Sequence, residues 1–224
     1  MCGRFALFSN IEIIMKYADL IDNNISWSPH YNISPSMEIP VLIYRDESPT
    51  ITVQKWGFVP DFVYKSEPKN KSFAPINVRS ETIEEKPIFR NSFREKRCLI
   101  PTNGFYEWRK SDRQPFFIHV RDIPLFFFAG IWNSNREDIS SQPATFAIIT
   151  TRANKKILPI HVRMPVIVHP EKMQEWLSPA RQDVLKDLMN PYPDEDIELN
   201  PVSKAVNYNK NNEDGLIKPV SGSK

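Results

Sequence analysis

Glycine is scarce in this chain, with six residues against twenty prolines. That balance fits many short strands joined by stiff connections, and it leaves no glycine-rich turn to form an oxyanion hole. Cysteine is scarcer still: Cys2 and Cys98 are the whole supply, and they make no Cys-x-x-Cys pair. Two cysteines give no disulfide framework, and the four histidines show no ligand spacing, so neither a metal nor a cofactor is expected. No apolar run approaches the roughly 20 residues of a membrane span; the most apolar stretch, Pro124 to Trp132, is too short. Nothing apolar precedes Cys2, which excludes a lipoprotein signal and leaves an intracellular place as the expectation, nucleoid or cytoplasm in a prokaryote and nucleus in a eukaryote. A net charge of +2 is too small to announce nucleic acid by itself. Repeats are absent.

What remains is an ordinary globular composition, 41% hydrophobic and 25% charged over 224 residues. One domain over 1–220 is expected, monomeric, with a disordered polar end at 221–224. Ser9-x-x-Glu12 is a capping-box pattern, and Ile11, Ile14 and Ala18 share a face, which predicts a helix over 9–19. Strand-like runs lie at 39–44, 50–57, 98–101, 104–109, 116–121, 124–132 and 144–151. Phe126 to Trp132 is apolar on both faces and reads as a central strand. Two helices introduced by prolines are expected at 170–177 and 179–189. Strands in series with helices inserted irregularly predict an α+β fold around a curved, barrel-like antiparallel sheet. Lys86 to Arg97 carries five basic residues against one acid and reads as a solvated face.

The chain's second residue carries a distinctive chemistry. Initiator methionine is commonly trimmed before a small residue, and the chain would then begin with Cys2. Its α-amine, with an unperturbed pKa near ~8, would be uncharged far more often than a lysine at neutral pH. A 1,2-aminothiol condenses with an aldehyde to an imine, and the neighbouring thiol closes a five-membered thiazolidine. Aldehydes are its natural partners. Beyond Cys2-Gly3-Arg4, three polar segments look unlike core. They are Pro75 to Thr82, Gly104-Phe105-Tyr106-Glu107-Trp108 with a carboxylate inside an aromatic strand, and Ile160 to Pro165 with a histidine and an arginine at a turn.

These segments, with Tyr31-Asn32-Ile33-Ser34-Pro35, Trp56-Gly57-Phe58-Val59-Pro60 and Pro201 to Asn207, resemble the SRAP family, the SOS response-associated peptidases also called abasic-site processing proteins. The resemblance spans nearly the whole chain. It implies the SRAP fold and a role in the DNA damage response: a thiazolidine cross-link between the N-terminal cysteine and the aldehyde of an abasic site in single-stranded DNA or at a strand junction. By the same resemblance Cys2 is the nucleophile, Glu107 the general acid/base, His161 a proton donor to the sugar oxygen, and Asn77 the orienting amide. Arg4, Arg79 and Arg163 would clamp phosphates, with Lys86, Phe62 and Pro35 extending the DNA path. Where relatives carry tryptophans after the Trp56 to Pro60 segment, this chain reads Asp61-Phe62-Val63-Tyr64. Two other readings remain open from the residues alone: an N-terminal-nucleophile cysteine peptidase, and a single-strand-binding module in which Cys2 is incidental.

Overall fold

The structure, a computed structural model, describes residues 2–20, 25–45, 47–60, 63, 74–134, 143–179 and 181–220. Its centre is a closed ring of five strands: β3 (Glu38–Arg45), β4 (Ser48–Trp56), β6 (Arg97–Thr102), β9 (Phe126–Asn133) and β10 (Thr145–Arg152). Four contacts around the ring are antiparallel, and the fifth, β10 on β4, is parallel, with Phe146 opposite Trp56. All eight residues of β9 are buried, the burial expected of an apolar run without alternation. Gly130 on this strand is a packing requirement. A Cβ there would lie 2.5 Å from Ile100 Cδ1 and 2.8 Å from Cys98 Sγ. Short strands extend the ring: β5 (Asn77–Arg79) and β11 (Arg163–Pro165) on β10, and β12 (Ile167–Val168) on β9.

A second sheet, antiparallel throughout, runs in the order β13 (Ile197–Pro201), β8 (Pro115–Val120), β7 (Gly104–Trp108), β1 (Phe5–Leu7) and β2 (His30–Ile33). It closes over the ring through aromatic edges. Phe5 meets Trp56 at 5.2 Å and Phe128 at 5.8 Å between ring centres, and Phe105 meets Phe128 at 5.7 Å. The expected α+β fold with a barrel-like core is the observed one.

Helices are few and short among the described residues. α1 (Ile11–Tyr17) starts one residue later than the capping-box pattern suggests: Asn10, not Ser9, accepts from the Ile13 amide at 3.1 Å. Ser9 is buried instead, where its hydroxyl accepts from Asn103 at 2.7 Å. α2 (Pro87–Glu95) was not anticipated within the basic run. Its Phe89, Ser92 and Phe93 are buried, while Lys86, Arg90 and Arg94 face solvent. Arg97, just after it, departs from the solvated-face reading. It is 7% exposed and donates to the carbonyls of Phe93, Arg94, Trp176 and Ser178, so one guanidinium ties α2 to α3 (Met173–Leu177). The last helix, α4 (Gln182–Leu188), lies within the expected 179–189. No helix among the described residues is long and apolar enough to cross a membrane. The polar end at 221–224 lies outside the described residues.

Candidate active site

The start of the chain is held as a strand margin. Phe5 pairs with Phe105 and Ala6 with Gly104, and the Tyr106 amide donates to the Arg4 carbonyl at 2.9 Å. Continuing that register outward sets Gly3 opposite Glu107. Cys2 is fully buried among core residues, its thiol 3.9 Å from the Arg4 carbonyl. Burial pushes the thiol pKa far up, and the neighbouring negative charge of Glu107 pushes it further. A thiol in that setting stays protonated until a base removes the proton.

Glu107 is 4% exposed on β7, on the same strand face as Phe105. Burial raises its pKa, opposed by the positive charge at the chain's N-terminus and by His161. Asn77 approaches from the ring. Its position on β5 is fixed by parallel pairing with β10, Asn77 lying opposite Ile148. Its side-chain nitrogen donates to the Cys2 carbonyl at 2.8 Å, while its buried Oδ1 has no protein partner among the described residues. His161 follows a tight turn in which Asn154 Oδ1 accepts from the Ile157 amide and the His161 amide donates to the Ile157 carbonyl. His161 Nδ1 lies 3.0 Å from both the amide nitrogen and the carbonyl oxygen of Arg163, which sets the orientation of the ring. The fold therefore gathers Cys2 from the segment ahead of β1, Asn77 from β5, Glu107 from β7 and His161 from a turn. This cluster can accept a proton, give one back, and offer a sulfur nucleophile beside both operations.

The expected phosphate ligands fare differently. Arg79 is exposed and free of ion pairs among the described residues. Arg163 is largely committed: its fork grips Glu81 at 2.7 and 3.0 Å and also donates to the Thr150 carbonyl. Arg4 is committed to the fold. It donates to Asn32 Oδ1 at 2.7 Å and to the Val206 carbonyl at 2.9 Å. Lys86 is exposed at the start of α2, and Pro35 is half-buried in the turn between β2 and β3. Among the described residues no side-chain hydrogen bond or ion pair joins either to the cluster. Phe62 lies outside the described residues.

Asn32 is a structural member that sequence reading did not single out. It is fully buried, accepts from Arg4, and donates to the carbonyls of Val206, Tyr208 and Asn211. It thereby locks the start of the chain, the Tyr31 to Pro35 segment and the Pro201 to Asn207 segment together. The signal was present in the co-occurrence of those three segments, but only contacts reveal that one side chain joins them.

The family model described as SOS response associated peptidase (SRAP) matches residues 1–209. The chain is 36% identical to the abasic site processing protein YoqW of Bacillus subtilis, over 97% of this chain and 99% of that one. It is 30% identical to the abasic site processing protein YedK of Escherichia coli, covering 98% and 100%. The mouse abasic site processing protein HMCES is 30% identical over 98% of this chain and 76% of its own length. Among solved structures, a protein from Bacteroides thetaiotaomicron superposes with a TM-score of 0.87 at 26% identity, covering 98% of this chain and all of that one.

Proposed function

Because this chain belongs to the SOS response-associated peptidase (SRAP) family, we propose that it processes abasic sites in single-stranded DNA, capturing them covalently through Cys2 once Met1 has been removed. The observation that carries this reading is the convergence of a buried Glu107 of raised pKa and the Asn77 amide on Cys2.

Hydrolysis of the Met1–Cys2 bond turns the Cys2 nitrogen into a primary amine. That amine adds to the C1′ aldehyde of the ring-opened deoxyribose; a C–N bond forms and the aldehyde oxygen takes up a proton. Glu107, whose protonated form burial favours, donates its proton to the carbinolamine oxygen, and water departs to leave an iminium. The resulting carboxylate takes the thiol proton, and Sγ adds to the same carbon. Glu107 ends protonated, the thiazolidine nitrogen keeps its hydrogen, and the net change is loss of one water. No oxidant or reductant is needed. Sulfur addition removes the C=N bond that would acidify C2′ and lead to strand cleavage by β-elimination.

His161 Nε2 donates a proton to the ring oxygen as the sugar opens. Asn77 Oδ1, an acceptor without a protein partner among the described residues, accepts a hydrogen bond from the amine and sets the attack direction. Arg79 contacts phosphate directly, and Arg163 does so on exchanging Glu81 for a phosphate. Arg4 acts through the fold by holding the strand that carries Cys2.

The test is a single strand with one abasic site, incubated with wild type and Cys2→Ala and resolved on a denaturing gel. A heat-stable shifted band from wild type alone is expected. Equal strand binding by both proteins with no shifted band from either would replace this reading with that of a binding module.

A further inference from the structure

A groove of about 680 Å³ opens beside His161, lined by Trp108, Lys110, Arg113, Leu158, Ile160 and Val162 among others. Its walls are direct chain neighbours of the cluster: Trp108 follows Glu107, and Ile160 and Val162 bracket His161. Leu158 is 54% exposed and Val162 66%, high values for aliphatic side chains in a chain whose other apolar residues are mostly buried. The Trp108 indole is pinned by a 2.7 Å hydrogen bond to Asn207 Oδ1, which presents a fixed aromatic plane.

The groove's polar members among the described residues are all cationic or neutral, with no carboxylate. Lys110 and Arg113 sit at the tip of the β7–β8 hairpin without ion-pair partners among the described residues, while Asp112 of the same tip is neutralised by Arg109 at 2.6 Å. A hollow of about 480 Å³ elsewhere on the surface has the opposite character. Glu81, Glu84 and Glu85 line it, outnumbering Arg152 and Lys186, and they would repel a phosphate chain.

Resting on the proposed capture of abasic sites, we propose that this groove holds the nucleotide adjacent to the lesion in the same single strand. Its base lies against Trp108, Leu158 and Val162, and its phosphates lie at Lys110 and Arg113. Apolar planes beside a pair of free cations are the combination a single strand needs, and an apolar protein surface alone would not require the cations. His161 of the catalytic cluster itself lines the groove, so a strand leaving the lesion meets the groove directly.

The test separates strand binding from chemistry. A single strand containing a tetrahydrofuran abasic analogue has no aldehyde, so its anisotropy with the full chain reads binding alone. Lys110→Gln with Arg113→Gln should weaken Kd roughly tenfold at low salt and lower the slope of log K against log salt by about 1.4, two contacts at roughly 0.7 each. Leu158→Ser with Val162→Ser should weaken Kd roughly tenfold with the salt slope unchanged, as loss of uncharged apolar contact requires. All four side chains are exposed or at a hairpin tip, and an unaltered Tm verifies the fold. Parent-like Kd values for both double variants would overturn the proposal. An equal loss on intact duplex from the Leu158/Val162 pair would overturn it too, since paired bases cannot stack there. Failure of the underlying reading looks different: the parent would then give no covalent adduct with an aldehyde-bearing strand, whatever the anisotropy shows.

Discussion

Asn77 donates its side-chain amide to the backbone carbonyl of Cys2 at 2.8 Å, joining a strand of the ring to the first residues of the chain. The contact fixes where the reacting residue lies without touching its thiol. Asn77→Asp replaces the donor by an acceptor facing a carbonyl and should cost about 1–3 kcal/mol of local ordering. Adduct formation on an abasic strand should slow roughly tenfold or more, while binding of an unreactive analogue strand stays near the parent's. Loss of binding instead would place Asn77 in strand recognition.

Burial gives Glu107 a pKa above the ordinary carboxylate value of 4.5. The folded protein then holds a proton that the unfolded chain has already released, so stability falls as pH rises from 4.5 through the raised folded pKa. Glu107→Gln cannot release a proton and removes that slope. The Tm of the variant minus that of the parent should grow between pH 5 and pH 8. The adduct rate should meanwhile fall by roughly 10²–10⁴. Parallel Tm curves would mean that Glu107 is ionised throughout.

Arg97 is the one buried cation among the described residues, with four carbonyl acceptors and a pKa lowered by burial. Arg97→Met keeps much of the volume but leaves those carbonyls unpaired. A loss of about 2–4 kcal/mol in denaturant unfolding is expected. A variant within about 0.5 kcal/mol of the parent would show that water or neighbouring donors take over.

Under the proposed function Glu81, which Arg163 grips at 2.7 and 3.0 Å, would compete with phosphate for that guanidinium. The same guanidinium, first by hydrogen bonding, holds the Glu81 carboxyl below its ordinary pKa. Glu81→Gln should strengthen single-strand binding about two- to fivefold at low salt, the scale of a partly exposed ion pair, and the gain should fade as salt rises. Weaker binding would show that Glu81 positions Arg163 for its ligand.

The strands of the ring were legible in the sequence because each is a run of four or more apolar or alternating residues. β9 is the clearest, its eight residues apolar enough to fill both faces. The three-residue strands β1, β5 and β11 were not legible. Asn77–Arg79 has no period to read, and its extended form comes from pairing with β10. α2 was hidden because its charged residues outnumber its buried Phe89 and Phe93, and a face of three buried positions does not stand out in a basic run. Cys2, Asn77, Glu107 and His161 were legible as types at segment positions, and the fold gathers them. Arg4, expected from its position beside Cys2 to clamp a phosphate, donates in the structure to Asn32 and to the Val206 carbonyl. A guanidinium's partner depends on which distant carbonyl the fold delivers, and spacing along the chain does not encode that.

The central claim is that Cys2 itself becomes the link to DNA. Intact mass spectrometry of the protein after reaction with an abasic single strand, followed by proteolysis and sequencing of the DNA-bearing peptide, tests it most directly. The expected species is the chain lacking Met1 plus the oligonucleotide minus one water, with the DNA on the peptide that begins at Cys2. An adduct that retains Met1, or one attached at a lysine, would contradict it.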